Sequence, residues 1–466
     1  MSAHLSPLDA SFLELEEADD SAHMHIGWAM AFDPLPSGEA PSLRMLREQT
    51  VERLDLVPRF RRRLSSPRVG SLSLPTWEPD PDFDIANHMR VARLPAPGGE
   101  EELLEWLGDF YSHRLDRARP LWETTLLEGL ADGRWALVTK THHCLVDGVG
   151  GSSVAATFLD TEPEPADSSP SLAEVLAATE REQGDEPGRV SRLRGALGSG
   201  VDTLIHPSKL GAALSHSRAL AEMLVRDELI SAPHTSLNEK IGATRQLAAI
   251  DVPLEQLKRI KNELGGTVND IVLTATASGL RRLFELRGEL PEVDKVRAMV
   301  PVNLRQAGDA MALGNRVSSL FVELPLDDPD LLIRYRKTAA AAQALKRADQ
   351  ASGTEALIEL AGAAPPVIHS AIARLAFTPR LFNLTITNVP GPPMPLYALG
   401  APMRRVIPLV PIFSGHAVGV AVVSYDGNVT FGINADRATV RDLGAMREGI
   451  EESLAELSAA GRAKVA

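Results

Sequence analysis

The spacing of apolar and polar residues changes repeatedly along the chain, marking helices and strands mixed throughout. "PLDASFLELEE" predicts a short helix: Ser6 can cap it, Pro7 suits the first helical position, and Asp9 stands where a capping box takes a carboxylate. "HMHIGWAMAF" reads as a strand. "LREQTVERLDLVPRFRRRL" reads as one helix ending in a basic cluster, and "LPTWEPDPDFDIANHMRVARL" as a Pro- and Asp-rich loop. A helix is expected from Glu100 to about His113, then two adjacent strands, "PLWETTLLEGL" and "RWALVTKTHHCLVD". Beyond Gly148, Gly150 and Gly151, "SSVAATFLD" is expected as a short helix capped by Ser152.

The second half opens with a strand, "QLAAIDV", and a helix carrying Leu254, Leu257, Ile260 and Leu264 on one face, closed by Gly265 and Gly266. "TVNDIVLTATASGLRRLFEL" predicts a second, largely buried helix. Strands are expected at "VRAMVPVNL", "RVSSLFVELPL" and "FNLTITNV". "VGVAVVSYDGNVTFGIN" is the clearest hairpin, because Asp426-Gly427 is the turn pair that two-residue hairpins favour. The class is α/β with two similar-sized domains, since 466 residues exceed what one core holds.

Composition places the joint. Residues 161–187 are acidic and rich in Pro and Ser, as linkers are, and 188–218 turn basic, with Arg189, Arg192, Arg194, Lys209 and Arg218. The expected division is 1–165, a linker and crossover region at 166–240, and 241–466. A single cysteine, Cys144, allows no internal disulfide and fits a reducing compartment. The N-terminus lacks the basic, apolar character of a signal peptide, and no apolar run is long enough to span a bilayer. A cytosolic protein is expected, at most peripheral to a membrane. The net charge of −14 argues against general nucleic-acid binding while leaving anionic ligands open.

The chemistry concentrates in "THHCLVDGVGG" at 141–151. On an extended segment, His142 and His143 should point to opposite faces, which weakens a metal reading that already lacks ligand spacing. Cys144 has nothing but its histidine neighbour to mark it as a nucleophile, and no G-x-S-x-G elbow occurs. There remains a single histidine at a strand end, suited to act as a general base toward a hydroxyl or amine, set against a plain pair of polar histidines beside a turn.

The pattern H-H-x-x-x-D-G, made by His142, His143, Asp147 and Gly148, has company in the family's order: "LSPLDASFL", "MHIG", "PRFRRRL", "FDIANHMR", "PLWE", "LNEKIGATR", "GGTVNDIVL", "VPVNLR", "LGNRVS" and "TNVPGP". With them the chain resembles the bacterial wax ester synthase/diacylglycerol acyltransferase family, of the chloramphenicol acetyltransferase and condensation-domain superfamily. The resemblance implies two acetyltransferase-like domains, each a mixed sheet flanked by helices, with a channel between them. It also implies transfer of a fatty acyl group from acyl-CoA, as co-substrate, to diacylglycerol or a fatty alcohol, with no cofactor, no metal and no covalent acyl-enzyme. His143 would be the base. His142 would support its loop, Asp147 would pair with an arginine (Arg245 is the expected partner), and Gly148 would keep the channel floor clear. Pro120, Leu121 and Trp122 match the family's P-L-W motif, as channel wall or as plain core. Asn269 becomes a candidate to polarise the thioester carbonyl or hold the loop. Asp270, Thr387 and Asn388 are further substrate-side candidates, although Asp270 also fits a capping box with Thr267. Lys258, Arg259 and Lys261, or Arg404 and Arg405, could face the CoA phosphates or be ordinary solvated charge. The stretch 188–218 could lie on anionic lipid or cross between domains. Two alternatives stand beside this reading: a condensation-type acyltransferase served by a carrier protein, and a non-catalytic protein that binds storage lipid.

Overall fold

A computed structural model describes residues 5, 7–65, 75–145, 158–164, 172, 231–290, 292–303, 317–347 and 377–465. Its framework is two six-stranded sheets. In the first, β1 (His25–Phe32) lies between β6 (Trp135–His142) and β12 (Ala401–Leu409). Beyond β6 come β5 (Trp122–Glu128) and β4 (Met89–Arg93), and beyond β12 comes β11 (Tyr397–Ala398). The second sheet runs β7 (Arg245–Pro253), β14 (Asn428–Asp436), β13 (Val418–Tyr425), β10 (Leu384–Pro390), β8 (Lys295–Asn303) and β9 (Val317–Pro325). Both sheets are mixed: β4 runs parallel to β5, and β10 parallel to β13 and β8. Helices α1 (Pro7–Ala18), α2 (Leu43–Arg53) and α3 (Glu100–Tyr111) belong to the first half, and α4 (Leu254–Leu264), α5 (Val268–Arg287), α6 (Leu331–Arg347) and α7 (Leu443–Val465) to the second. The largest core lies under the second sheet, where α5 is buried almost without a break from Asp270 to Leu280.

Most expected elements are present, and the differences have physical causes. The segment read as one long helix ends at Arg53. Pro58 cannot donate to a helical ladder and disfavours helical geometry before it, so Val57 sits at φ −130, ψ 64. Two 3-10 turns and the strand β2 (Arg62–Leu64) follow, and the basic cluster falls on the second turn and that strand. The segment read as a loop holds β3 (Trp77–Pro79), paired with β2, and the edge strand β4. Only Met89 of β4 is fully buried, which hides the alternation that would have announced a strand.

The division at 241 does not hold for residues 397–409. They cross back to complete the first sheet, where Gly27 to Phe32 pair with Leu409 to Met403. Without β12, β1 would present an unpaired edge. The two central arginines of β12 are tied down by ion pairs, Arg404 to Asp33 at 2.6 Å and Arg405 to Glu100 at 2.5 Å and Asp251 at 2.8 Å. Arg404 and Arg405 are thus engaged in ion pairs instead of standing free for phosphate. A second stitch is Arg245, 1% exposed, whose guanidinium donates to Gly242 O at 2.7 Å and to Ser21 O and lies 3.9 Å from Asp436.

Gly27 explains the "MHIG" motif. A Cβ there would lie 1.9 Å from the Tyr111 hydroxyl oxygen and 2.3 Å from Thr139 O, because that hydroxyl donates to Thr139 O at 2.6 Å across the face of β1. We expect Gly27→Ala to destabilise the fold by about 1–3 kcal/mol, read as a lower urea midpoint. Adding Tyr111→Phe should not restore it, since the carbonyl clash remains; full recovery in the double variant would refute this account.

Candidate active site

β6 ends at His142, and the chain turns immediately. The His142 N–H donates to Leu121 O at 3.0 Å, the His143 N–H to Met24 O at 2.7 Å, and the Leu145 N–H to His142 O at 2.9 Å. The Cys144 N–H donates to His142 Nδ1 at 3.1 Å, so that imidazole carries its proton on Nε2, which lies 3.4 Å from Glu16 Oε2. Because of the turn, the two rings do not part to opposite faces of a strand. Both lie against α1, one helical turn apart: His143 packs on Phe12 with ring centroids 4.1 Å apart, and His142 faces Glu16.

The His143 ring is half-buried, and its Nδ1 has no hydrogen-bond partner among the described residues. Burial pulls its pKa from 6.5 down to about 4, and the neighbouring His142 adds to the pull. At neutral pH it is therefore an uncharged imidazole with a lone pair to offer. Cys144 is fully buried, and burial, with Asp9 adding to it, pushes its thiol well above the ordinary range, which removes it as a nucleophile.

Pro120, Leu121 and Trp122 are all buried. Trp122 stacks between Phe60 (4.8 Å) and His88 (4.6 Å) and donates from Nε1 to Phe60 O at 2.9 Å. That is a core position, and the motif reaches the site through its backbone, where Leu121 O receives the His142 N–H. Asp270 is likewise occupied: its carboxylate accepts from the Thr267 N–H at 2.8 Å and hydroxyl at 2.9 Å, closing the capping box of α5. Asn269, on the first turn of α5, meets Asn388 on β10, whose Nδ2 donates to its Oδ1 at 3.5 Å. Thr387, adjacent on β10, is half-buried and points to the other face of the strand. Lys258 is exposed and pairs with Glu255 at 2.9 Å.

Asp147, Gly148, Gly150, Gly151, Ser152 and the stretch 188–218 lie outside the described residues. Arg245, the expected partner of Asp147, is held among the described residues by Gly242, Ser21 and Asp436. Sequence reasoning missed Phe12 and Glu16. Both sit in "SFLELEEADD", where one buried carboxylate is indistinguishable from its exposed neighbours except by its i,i+4 spacing from Phe12. Among the described residues, no group of three His, Cys, Asp or Glu side chains is arranged to hold a metal ion, and no helix is long and apolar enough to cross a membrane.

The family model described as the wax ester synthase/diacylglycerol acyltransferase catalytic domain matches residues 5–272, and that of the C-terminal domain of the same family matches 313–458. A protein of Mycobacterium tuberculosis named a probable diacylglycerol O-acyltransferase is 33% identical over 98% of this chain and 96% of its own. A second protein of that organism, with the same descriptive name, is 32% identical over 98% and 99%. Among solved structures, the wax ester synthase/diacylglycerol acyltransferase of Marinobacter aquaeolei VT8 superposes with a TM-score of 0.70 at 27% identity, covering 98% of this chain and 99% of that one. The first condensation domain of the calcium-dependent antibiotic synthetase, at 17% identity and a TM-score of 0.61 over 98% and 97%, shares the fold.

Proposed function

The chain belongs to the wax ester synthase/diacylglycerol acyltransferase family, and from that premise we propose an acyl-CoA-dependent O-acyltransferase whose general base is His143. The acceptor is the free hydroxyl of diacylglycerol, with long-chain alcohols as the second acceptor class. The observation that carries the assignment of the base is the uncharged, half-buried His143 ring, held on both sides by backbone hydrogen bonds at the strand end.

The neutral imidazole takes the acceptor hydroxyl proton as the oxygen attacks the thioester carbonyl. The tetrahedral oxyanion then collapses, the carbon–sulfur bond breaks, and the imidazolium returns the proton to the departing CoA thiolate. The acyl group arrives already activated as a thioester, so the reaction as written calls on no metal, no further cofactor and no covalent acyl-enzyme. Asn269 and Asn388 are the proposed amide donors toward the thioester oxygen: their side chains converge, and the hydrogen bond between them occupies only one of Asn269's two polar atoms. Diacylglycerol partitions into lipid, so the protein meets its acceptor at a lipid surface.

The test is CoA release from palmitoyl-CoA by purified protein, with dioleoylglycerol, with hexadecanol and with neither, products being identified by mass spectrometry. Release that requires an acceptor, with triacylglycerol forming faster than wax ester, is expected. Equal release without acceptor would mean a thioesterase. Ester formed only when an acylated carrier protein replaces palmitoyl-CoA would mean a condensation-type enzyme.

A further inference from the structure

Glu16 is a carboxylate 2% exposed to solvent, and neither the sequence motifs nor the catalytic scheme uses it. A buried carboxylate is costly unless paired. Arg117 supplies the charge, with Nε at 3.1 Å and Nη2 at 2.8 Å from Oε2. The same carboxylate also faces two histidines at the paired ends of β1 and β6. His142 Nε2 is 3.4 Å from Oε2, and His25 Nε2 is 3.5 Å from Oε1.

We propose that Glu16 is a positioning residue for His143, an inference that rests on His143 being the base. The route runs through His142. Glu16 faces the Nε2–H of that ring and so favours the tautomer whose Nδ1 is free to accept the Cys144 N–H. The ring thereby anchors the peptide that follows His143, while Met24 O anchors the one that precedes it. α1 contributes twice at i,i+4 spacing: Phe12 supports the base itself and Glu16 locks its neighbour. Without the carboxylate the other tautomer of His142 becomes accessible. Its Nδ1–H would oppose the Cys144 N–H, and the turn would lose the bond that fixes His143.

The experiment compares Glu16→Gln with Glu17→Gln and His143→Ala in steady-state CoA release. Glu17 is the right control, because it pairs with the same arginine at 2.6 Å but is largely exposed. Glu16→Gln is expected to lower kcat about 10- to 100-fold with KM for acyl-CoA within about twofold, as a displaced catalytic group does. Glu16→Asp, which keeps the charge, should recover part of the loss, and Glu17→Gln should match wild type. Equal kcat in Glu16→Gln and wild type, or equal losses in the Glu16 and Glu17 variants, would overturn the proposal. Full activity of His143→Ala would instead overturn the assignment of the base, and the inference with it. Should Glu16→Gln not fold, nitrogen-15 histidine spectra of the wild type decide: a neutral His142 protonated at Nε2 supports the proposal, and one protonated at Nδ1 refutes it.

Discussion

Replacing His143 by alanine should lower turnover by about 10²- to 10⁴-fold, the range in which a positioned general base contributes. The loss should fall on kcat, since in the proposed mechanism the ring takes its proton only as the new bond forms. Stability should change by no more than about 1–2 kcal/mol, because the ring's one described aromatic contact is Phe12. The pH profile gives a second, independent reading. A base whose pKa is about 4 is already deprotonated at pH 6, so kcat/KM should stay level from pH 8 to pH 6. An acid limb centred near 6.5 in folded protein would mean an unperturbed imidazole and would contradict the described environment of His143.

The second large effect is on stability, which should decline steeply below pH 6.5. Burial holds His23 and His143 near 4 and His416 near 3, and pushes His25 and His88 down as well. In the unfolded chain each regains a value near 6.5. A histidine with a depressed folded pKa stabilises the fold fully above 6.5. Below that, the unfolded chain takes up protons the folded one refuses, so stability is lost as pH falls from 6.5 toward the folded value. His23, His143 and His416 together give a slope of up to about 4 kcal/mol per pH unit. By pH 4 the three together remove about 9 kcal/mol, the same order as a total stability of roughly 5–15 kcal/mol. Glu16 adds to the effect lower down: burial alone would raise its pKa, but His142, His25 and Arg117 hold it well below the carboxylate range, so its contribution is lost below about 4.5. Urea midpoints at pH 7.5, 6.5, 5.5 and 4.5 check this. The midpoint should drop by little between the first two and steeply over the last two; a level series would refute it. His416→Phe, which keeps an aromatic ring against Phe382 and Phe413, should flatten the decline.

What was legible in the sequence was what depends on local pattern. The hairpin around Asp426-Gly427 is present because φ at both turn residues is positive, the geometry that pair favours. α4 ends at Gly265 and α5 begins where Thr267 and Asp270 cap it. Asn269 and Asn388 stood out separately by motif content, and their contact, between residues 119 apart in the chain, is visible only in the fold. Longer-range decisions left no local trace. β12 carries two arginines in its middle because its neighbours supply carboxylates, so its pattern alone does not announce a strand in the interior of a sheet. Trp122 looked equally like channel wall or core; its sandwich between Phe60 and His88 depends on partners 62 and 34 residues away in the chain. Glu16 was invisible among acids because burial is a property of the packed helix and not of the residue.

The return of residues 401–409 to the first sheet also sets a timetable for the growing chain. β1 leaves the ribosome some 370 residues ahead of its second neighbour, about 20–75 s of synthesis. Throughout that interval the nascent chain offers a strand edge that any other extended segment can occupy. The turn that carries His143 sits at the end of that same β1–β6 pair, so the sheet beneath it is complete only once residues 401–409 have been made.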